Sequence, residues 1–405
     1  MPEPIEEQSG NLMTEERIEM PAESVPDETT DVGRLLGAPP SNWRQIGMQI
    51  LAALIPVVIV VVAIVAIRPG GDLQKWLLVG VVVVALAFDY VNGMNDAANA
   101  IATVVSTRVL PPLIALLMAA SLNFIGALVH TGVAKTIASI FANPQEATMT
   151  MILCGLIGAV IWSWLMTRFG LPVSVSHSLI GGLVGVALIS SINLNVGKLQ
   201  GIVLWIFLAP IIGLISGFLL MLLIMRIFHA AAPYKLNKHF RFWQMVSSAS
   251  MAFTHGMNDA QKAMGAITLA LVAAGIPVVA DGDGYKVPLW VIIACATVIA
   301  LGTGVGGWRV IRTLGHKMIK LMPVHGFAAE TAAAGSILLA TKFGMPVSTT
   351  HVITSSIMGV GASKRLSAVR WGVATNIVVA WVFTIPACGL ASAALYALVR
   401  LCGMK

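Results

Sequence analysis

Long apolar runs separated by short polar breaks fill the chain from about residue 46 onwards. They lie near 46–67, 76–107, 110–132, 148–167, 178–192, 200–228, 244–275, 287–308, 326–341, 350–362 and 371–399. A hydrocarbon core needs about 20 apolar residues per helix, so most of these runs are long enough to cross a bilayer. The runs 178–192 and 350–362 are short, and each follows a turn: "FGLPVSVSHSLIGGLVGV" at 169–186 and "FGMPVSTTHVITSSIMGV" at 343–360, alike at eight of eighteen positions. Such turns read as tips of helical hairpins. The pattern therefore predicts an all-α polytopic membrane protein.

A second pair of stretches repeats in the same order. "GMNDAANA" at 93–100 returns as "GMNDAQKA" at 256–263, identical at six of eight positions. The chain reads as a tandem duplication: one extra N-terminal transmembrane helix with its flanks (34–74), a first repeat (75–228), a basic cytoplasmic linker (229–243) and a second repeat (244–405). Between the two Gly-Met-Asn-Asp motifs the number of crossings is odd whether the hairpin contributes none or two, so the repeats should have inverted topology. Arg226, Lys235, Lys238 and Arg241 crowd one connection; Arg309, Arg312, Lys317 and Lys320 another; Lys364, Arg365 and Arg370 a third. With all three on the cytoplasmic side, the N-terminus lies inside, the C-terminus outside, and the two hairpins approach from opposite faces.

Composition agrees: 57% of residues are hydrophobic and 11% charged, against about 25% charged in soluble domains. Of the 18 acidic residues, ten fall between Glu3 and Asp31, leaving eight for the rest. The tail 1–33 has the acidic, apolar-poor composition of a disordered segment and lacks the basic and apolar regions of a signal peptide. The net charge of +7 comes from clusters between spans, so no nucleic-acid partner is expected. Cys154, Cys295, Cys388 and Cys402 have no paired spacing, which suggests neither disulfides nor a zinc site.

The candidate chemistry sits in the repeated motifs. Glycine before Asn-Asp favours a helix break, after which Asn95 or Asp96, and Asn258 or Asp259, would cap the resumed helix. An intramembrane carboxylate costs about 2.5–3.5 kcal/mol to insert, so two at equivalent places imply a shared task beyond capping. At the hairpin tips, Ser174, Val175, Ser176 and His177, and Ser348, Thr349, Thr350 and His351, combine hydroxyls with helix N-termini into an anion pocket suited to phosphate or sulfate. Capping alone remains an alternative for the hydroxyls, and bonding to backbone carbonyls for the histidines. Asn99 in the first motif is Lys262 in the second, which either pairs with a carboxylate or snorkels to an interface. Asp89, seven residues before Asp96, shares its helix face and matches Ala252 in the second repeat, leaving packing, gating or ion binding open; the role of Glu330 is likewise open. Two carboxylates near an oxyanion need an accompanying cation, which points to symport with H⁺ or Na⁺.

These duplicated motifs resemble the inorganic phosphate transporter (PiT) family over residues 75–400. The resemblance implies a carrier, not an enzyme, that imports phosphate with a cation across the cytoplasmic (inner or plasma) membrane. It assigns Asn95, Asp96, Asn258 and Asp259 to the ion and phosphate sites and Ser174, Ser176, Ser348, Thr349 and Thr350 to the surroundings of phosphate. Lys262 departs from the pattern and argues against symmetric cation sites. The stretch "NGMNDAANAIATVVSTR" is closer to bacterial members thought to use protons, some of which carry phosphate as a neutral divalent-metal complex; protons are therefore the favoured cation. No cofactor or resident metal is expected. The expected partners are phosphate, the coupling cation and membrane lipid, with a homodimer as an open option. A sulfate permease of the same fold is the nearest rival; an anion channel is more remote, because opposed hairpins would plug a pore.

Overall fold

The computed structural model describes residues 60–403 apart from 62, 231, 232 and 283. The acidic tail and most of the first apolar run lie outside the described residues. Twelve α-helices account for most of what is described: α1 (Leu73–Ser106), α2 (Pro112–Ala127), α3 (Gly132–Ala138), α4 (Met149–Phe169), α5 (Val175–Ser190) and α6 (Val196–Ile227), then α7 (Pro233–Ala273), α8 (Leu289–Val305), α9 (Trp308–Arg312), α10 (Pro323–Lys342), α11 (Thr349–Lys364) and α12 (Trp371–Leu401). The second six repeat the order of the first six. A two-residue-per-strand hairpin, Ala280–Asp281 with Gly284–Tyr285, was not anticipated from the hydropathy pattern, although Asp-Gly pairs stand at 281–282 and 283–284.

Among the described residues, helices α1, α4, α6 and α12 are each long and apolar enough to cross a membrane, and two bent helix pairs are so only when each pair is taken as one broken span. The bends correct the sequence reading. Chain direction changes by 69° between α2 and α3 and by 62° after α8, inside the runs 110–132 and 287–308, whereas α1 and α7 run unbroken through their Gly-Met-Asn-Asp motifs. The basic stretch 229–243 is also not a simple linker, since α7 already begins at Pro233.

Glycine explains the unbroken motifs. A Cβ on Gly93 would lie 2.2 Å from the Ile299 carbonyl oxygen on α8, and one on Gly302 2.2 Å from that of Tyr90 on α1. The equivalent pair joins α7 to α2: Gly256 against Asn123 (2.2 Å) and Gly126 against Phe253 (2.1 Å). Small residues that bring backbones into contact are what holds helices together where lipid offers no hydrophobic gain. The glycines of the motif are thus contact points, and the neighbouring Asn and Asp stay helical, so neither caps anything.

The same exchange recurs outside. Helix α6 of the first set packs on α11 of the second, and α12 of the second packs on α5 of the first. The two sequence repeats are therefore interleaved in space. Apolar side chains such as Leu204 and Phe207 on α6 and Val382, Phe383 and Leu390 on α12 remain exposed, as a lipid-facing surface requires.

Candidate functional site

Each hairpin tip is built from its sequence in the same way. The helix before it ends at a glycine in the left-handed region, Gly170 (φ 69°) or Gly344 (φ 67°), and a proline two residues later prevents resumption. Ser174 then caps α5 by accepting from the His177 N–H (3.1 Å), and Ser348 caps α11 by accepting from the His351 N–H (3.2 Å). Those two hydroxyl oxygens therefore do act as caps.

The tips meet. The Ser176 hydroxyl donates to the Val347 carbonyl (2.8 Å), and the rings of His177 and His351 lie edge to face with centroids 4.4 Å apart. His351 also stacks on Trp381 (3.8 Å), whose indole N–H donates to the Pro172 carbonyl (3.0 Å). Neither ring nitrogen of His177 has a hydrogen-bond partner among the described residues, so His177 does not bond a backbone carbonyl, and its ring packs on that of His351. Val175 places its side chain in the apolar core, leaving only its backbone to a ligand.

Beside the tips, α1 and α7 present matching faces. Positions 92, 96 and 99 lie on one side of α1 at helical spacing, as do 255, 259 and 262 on α7. Asp96 and Asp259 converge there, both buried. His255 Nε2 is 3.6 Å from an Oδ2 of each. With its amide nitrogen turned to the carboxylates, Asn92 donates to the same two oxygens at 3.2 and 3.3 Å. The Thr349 hydroxyl lies 3.3 Å from Asp96 Oδ2 and 3.4 Å from Asp259 Oδ2, and Thr350 donates to Asp96 Oδ1 at 2.9 Å. Asn99 adds bonds from its amide to Thr350 (3.0 Å) and Thr349 (3.2 Å).

Lys262 resolves the choice left open by the sequence. Its ammonium is fully buried and 2.8 Å from Asp259 Oδ1, so it pairs with a carboxylate and does not snorkel. His255 is oriented from behind: the Asn123 side-chain oxygen lies 2.9 Å from Nδ1, and the Asn123 amide donates to Thr303 (2.7 Å). An acceptor at Nδ1 fixes the hydrogen there and leaves Nε2 facing the two carboxylates. Asp96, His255 and Asp259 offer ligand atoms within 4.8 Å of one another, which adds His255 to the two carboxylates expected at the cation site.

The remaining candidates divide. Asn258 clamps the second tip, donating to Thr341 (2.8 Å) and the Met345 carbonyl (3.2 Å) and accepting from the Val347 N–H (3.4 Å). Its counterpart Asn95 is buried with no hydrogen bond among the described residues. Asp89 is buried likewise, with Asp259 and Lys262 as its charged neighbours. Glu330 stands apart from the central group: it accepts from Thr103 on α1 and Ser247 on α7, a brace that ties both motif helices to α10.

Sequence reasoning missed Asn92, Asn123, His255 and Thr303. A signal existed for two of them, because Asn92 and His255 are the residues immediately before the repeated Gly-Met-Asn-Asp.

The Phosphate transporter family model matches residues 92–392. A probable low-affinity inorganic phosphate transporter of Bacillus subtilis (strain 168) is 44% identical over 78% of this chain and 95% of its own length. One of Rhizobium meliloti (strain 1021) is 46% identical over 79% and 96%. Among solved structures, "The sodium-dependent phosphate transporter" superposes with a TM-score of 0.74 at 26% identity, covering 80% of this chain and 99% of that one. Each of these is named as a phosphate transporter, which sets the chain among carriers and not among enzymes. With a buried pair of carboxylates at the meeting point of two hairpin tips in an all-helical membrane fold, the chain belongs to the phosphate transporter family.

Proposed function

We propose that the protein imports inorganic phosphate by symport with a monovalent cation, using one site shared by the two repeats. The observation that carries this reading is the convergence of Asp96 and Asp259, linked by Asn92 and Thr349 with His255 Nε2 3.6 Å from each, beside the joined hairpin tips. Lys262 pairs with Asp259, so its single positive charge does not also neutralise the neighbouring carboxylates Asp89 and Asp96, of which Asp96 meets Thr349 and Thr350 at the second tip. Opposite charges a few ångströms apart in a medium of low effective dielectric interact by several kcal/mol. A cation beside Asp96 therefore turns a site that repels an oxyanion into one that attracts it, and this is the coupling.

The anion is received by the first turn of α11, where Thr349 and Thr350 add hydroxyls to the helix N-terminus, with Ser174 and Ser176 of the first tip opposite. The cation lies among Asp96, Asp259 and the side chains of Asn95, Asn99 and Asn258. Hard oxygen donors suit Na⁺, and the carboxylates of Asp96 and Asp259 would take H⁺ in its place; a neutral metal–phosphate complex would meet the same groups as cargo. An ionised Asp also accepts a hydrogen from hydrogen phosphate, which sulfate at neutral pH lacks. Halves 75–228 and 244–405, inverted with respect to each other, would expose the joined tips alternately to each side. An N-terminus inside a cytoplasmic membrane is the orientation that the basic connections favour.

The test is uptake of labelled phosphate and sulfate into proteoliposomes with sodium and proton gradients imposed separately. Concentrative phosphate uptake driven by one gradient, with sulfate excluded, is expected. Uptake insensitive to both gradients would refute symport.

A further inference from the structure

We propose that the pocket at the open base of the second hairpin binds the phosphate group of an anionic phospholipid. This cavity of about 330 Å³ is formed where the start of α10 approaches the end of α11 and the turn that follows. Lys320, Lys364, Arg365 and Arg370 line it, with His325 at its wall and no acidic side chain. Among the described residues the ion pairs are those of Lys135, His255 and Lys262, so none of these four cations has a carboxylate partner. Four unpaired cations around one concavity repel each other, and an anion relieves that repulsion.

The positive lining belongs to one side of the fold. Helices α5 and α11 are equivalent, sixteen residues each, yet the positions matching Lys364 and Arg365 are Ser190 and Ser191, and the position matching Lys320 is Glu146. The duplication thus supplies an internal comparison, in which only the base of the second hairpin acquired cations.

Its surroundings favour a lipid over a free ion. The pocket adjoins the first turn of α12, where Trp371 is 49% exposed and its indole N–H donates to the Leu366 carbonyl (2.9 Å). Leu366 is itself exposed, and beyond the exposed Thr375 and Asn376 the outward side chains of α12 turn apolar, among them Val378, Val379, Val382 and Phe383. A tryptophan at the start of an apolar helix marks the headgroup level of a membrane. A headgroup in the cavity would leave its acyl chains lying along α12. The arrangement of basic residues between membrane helices is the chemistry that holds anionic lipid headgroups.

This site is separate from the central one. Helix α11 carries Thr349 at one end and Lys364 at the other, a length of about 24 Å at 1.5 Å per residue. An occupied pocket would fix the far end of the helix whose first turn faces Asp96.

The experiment is native mass spectrometry of the full chain in neutral detergent, titrated with phosphatidylglycerol, with phosphatidylcholine and with inorganic phosphate. Replacing Lys364, Arg365 and Arg370 by Gln removes three cations worth about fivefold each, so phosphatidylglycerol binding should weaken by about 100-fold. A control with Lys75, Lys198 and Lys286 replaced by Gln should bind as wild type does. Should the triple pocket variant fail to elute as a single species, Arg365→Gln and Arg370→Gln separately should each show the fivefold loss. Unchanged phosphatidylglycerol affinity in the pocket variants would overturn the proposal, as would equal binding of phosphatidylcholine. Displacement of the lipid by millimolar inorganic phosphate would overturn the lipid assignment and give the pocket to a soluble anion. The readout involves no transport, so its failure would leave the symport reading standing.

Discussion

Lys262→Asn gives the second motif the residue that the first already has at Asn99, and it isolates the part played by the buried ion pair. The ammonium lies 2.8 Å from Asp259 Oδ1 with side-chain exposures of 0% and 1%. Removing one partner of such a pair strands a buried charge at a cost of about 3–5 kcal/mol. Left uncompensated, that is about a 100- to 5000-fold loss in any equilibrium that requires the closed site. Asparagine cannot replace the charge, so a cation from solution must. The variant should therefore require a higher concentration of the coupling cation for phosphate uptake, with a steeper dependence on it than wild type. Purified protein should melt at a lower temperature and recover as the cation is raised. Lys262→Arg should retain most of the wild-type behaviour. Measuring uptake rate and melting temperature across a cation titration checks all three. Wild-type half-saturation, slope and melting temperature in Lys262→Asn would refute the idea that this side chain occupies a cation's place.

Thr350→Val keeps the shape but removes the donor to Asp96 Oδ1 (2.9 Å) and the acceptor of Asn99 (3.0 Å). A hydrogen bond to a charged group contributes about 1.5–3 kcal/mol, so the half-saturation concentration for phosphate should rise about 10- to 100-fold at normal expression; an unchanged value would take α11's first turn out of the site. Gly256→Ala forces a Cβ to within 2.2 Å of the Asn123 oxygen, and overpacking of about 1–3 kcal/mol should appear as a lower melting temperature together with reduced uptake. Full stability and activity in that variant would mean that α2 and α7 do not need this close approach. Asp89→Ala restores the residue of the second repeat, Ala252, and should impair uptake less in the Lys262→Asn background than in wild type, because the ammonium that neighbours Asp89 is then gone. Strictly additive effects in the double-mutant cycle would separate the two residues.

Much of this was legible because the chain is duplicated. Apolar run lengths located the helices, and the two Phe-Gly-x-Pro turns located tips that do meet. The break expected at Gly-Met-Asn-Asp was the principal misreading, since glycine serves both strained backbone and close helix contact and a single sequence does not distinguish them. Only the carbonyl oxygens of Ile299 and Asn123, far away in the chain, reveal which use applies. The real bends fall at Leu128–Thr131 and Gly306–Gly307, within runs whose hydropathy hides them. Asn123 and Thr303 escaped notice for a related reason: their significance arises from hydrogen bonds that join α2 to α7 and to α8, and periodicity carries no information about which helices become neighbours. The equivalence of Asn95 and Asn258 suggested by the repeats also gives way in three dimensions, where only Asn258 grips a hairpin tip.

Equilibrium binding of labelled phosphate to the purified protein, measured over a range of sodium concentration and pH, tests the shared site most directly. Affinity should rise steeply with one of the two cations in wild type and be lost, along with that dependence, in Asp96→Asn. Phosphate binding that ignores both cations, or that persists undiminished without the Asp96 carboxylate, would contradict the account.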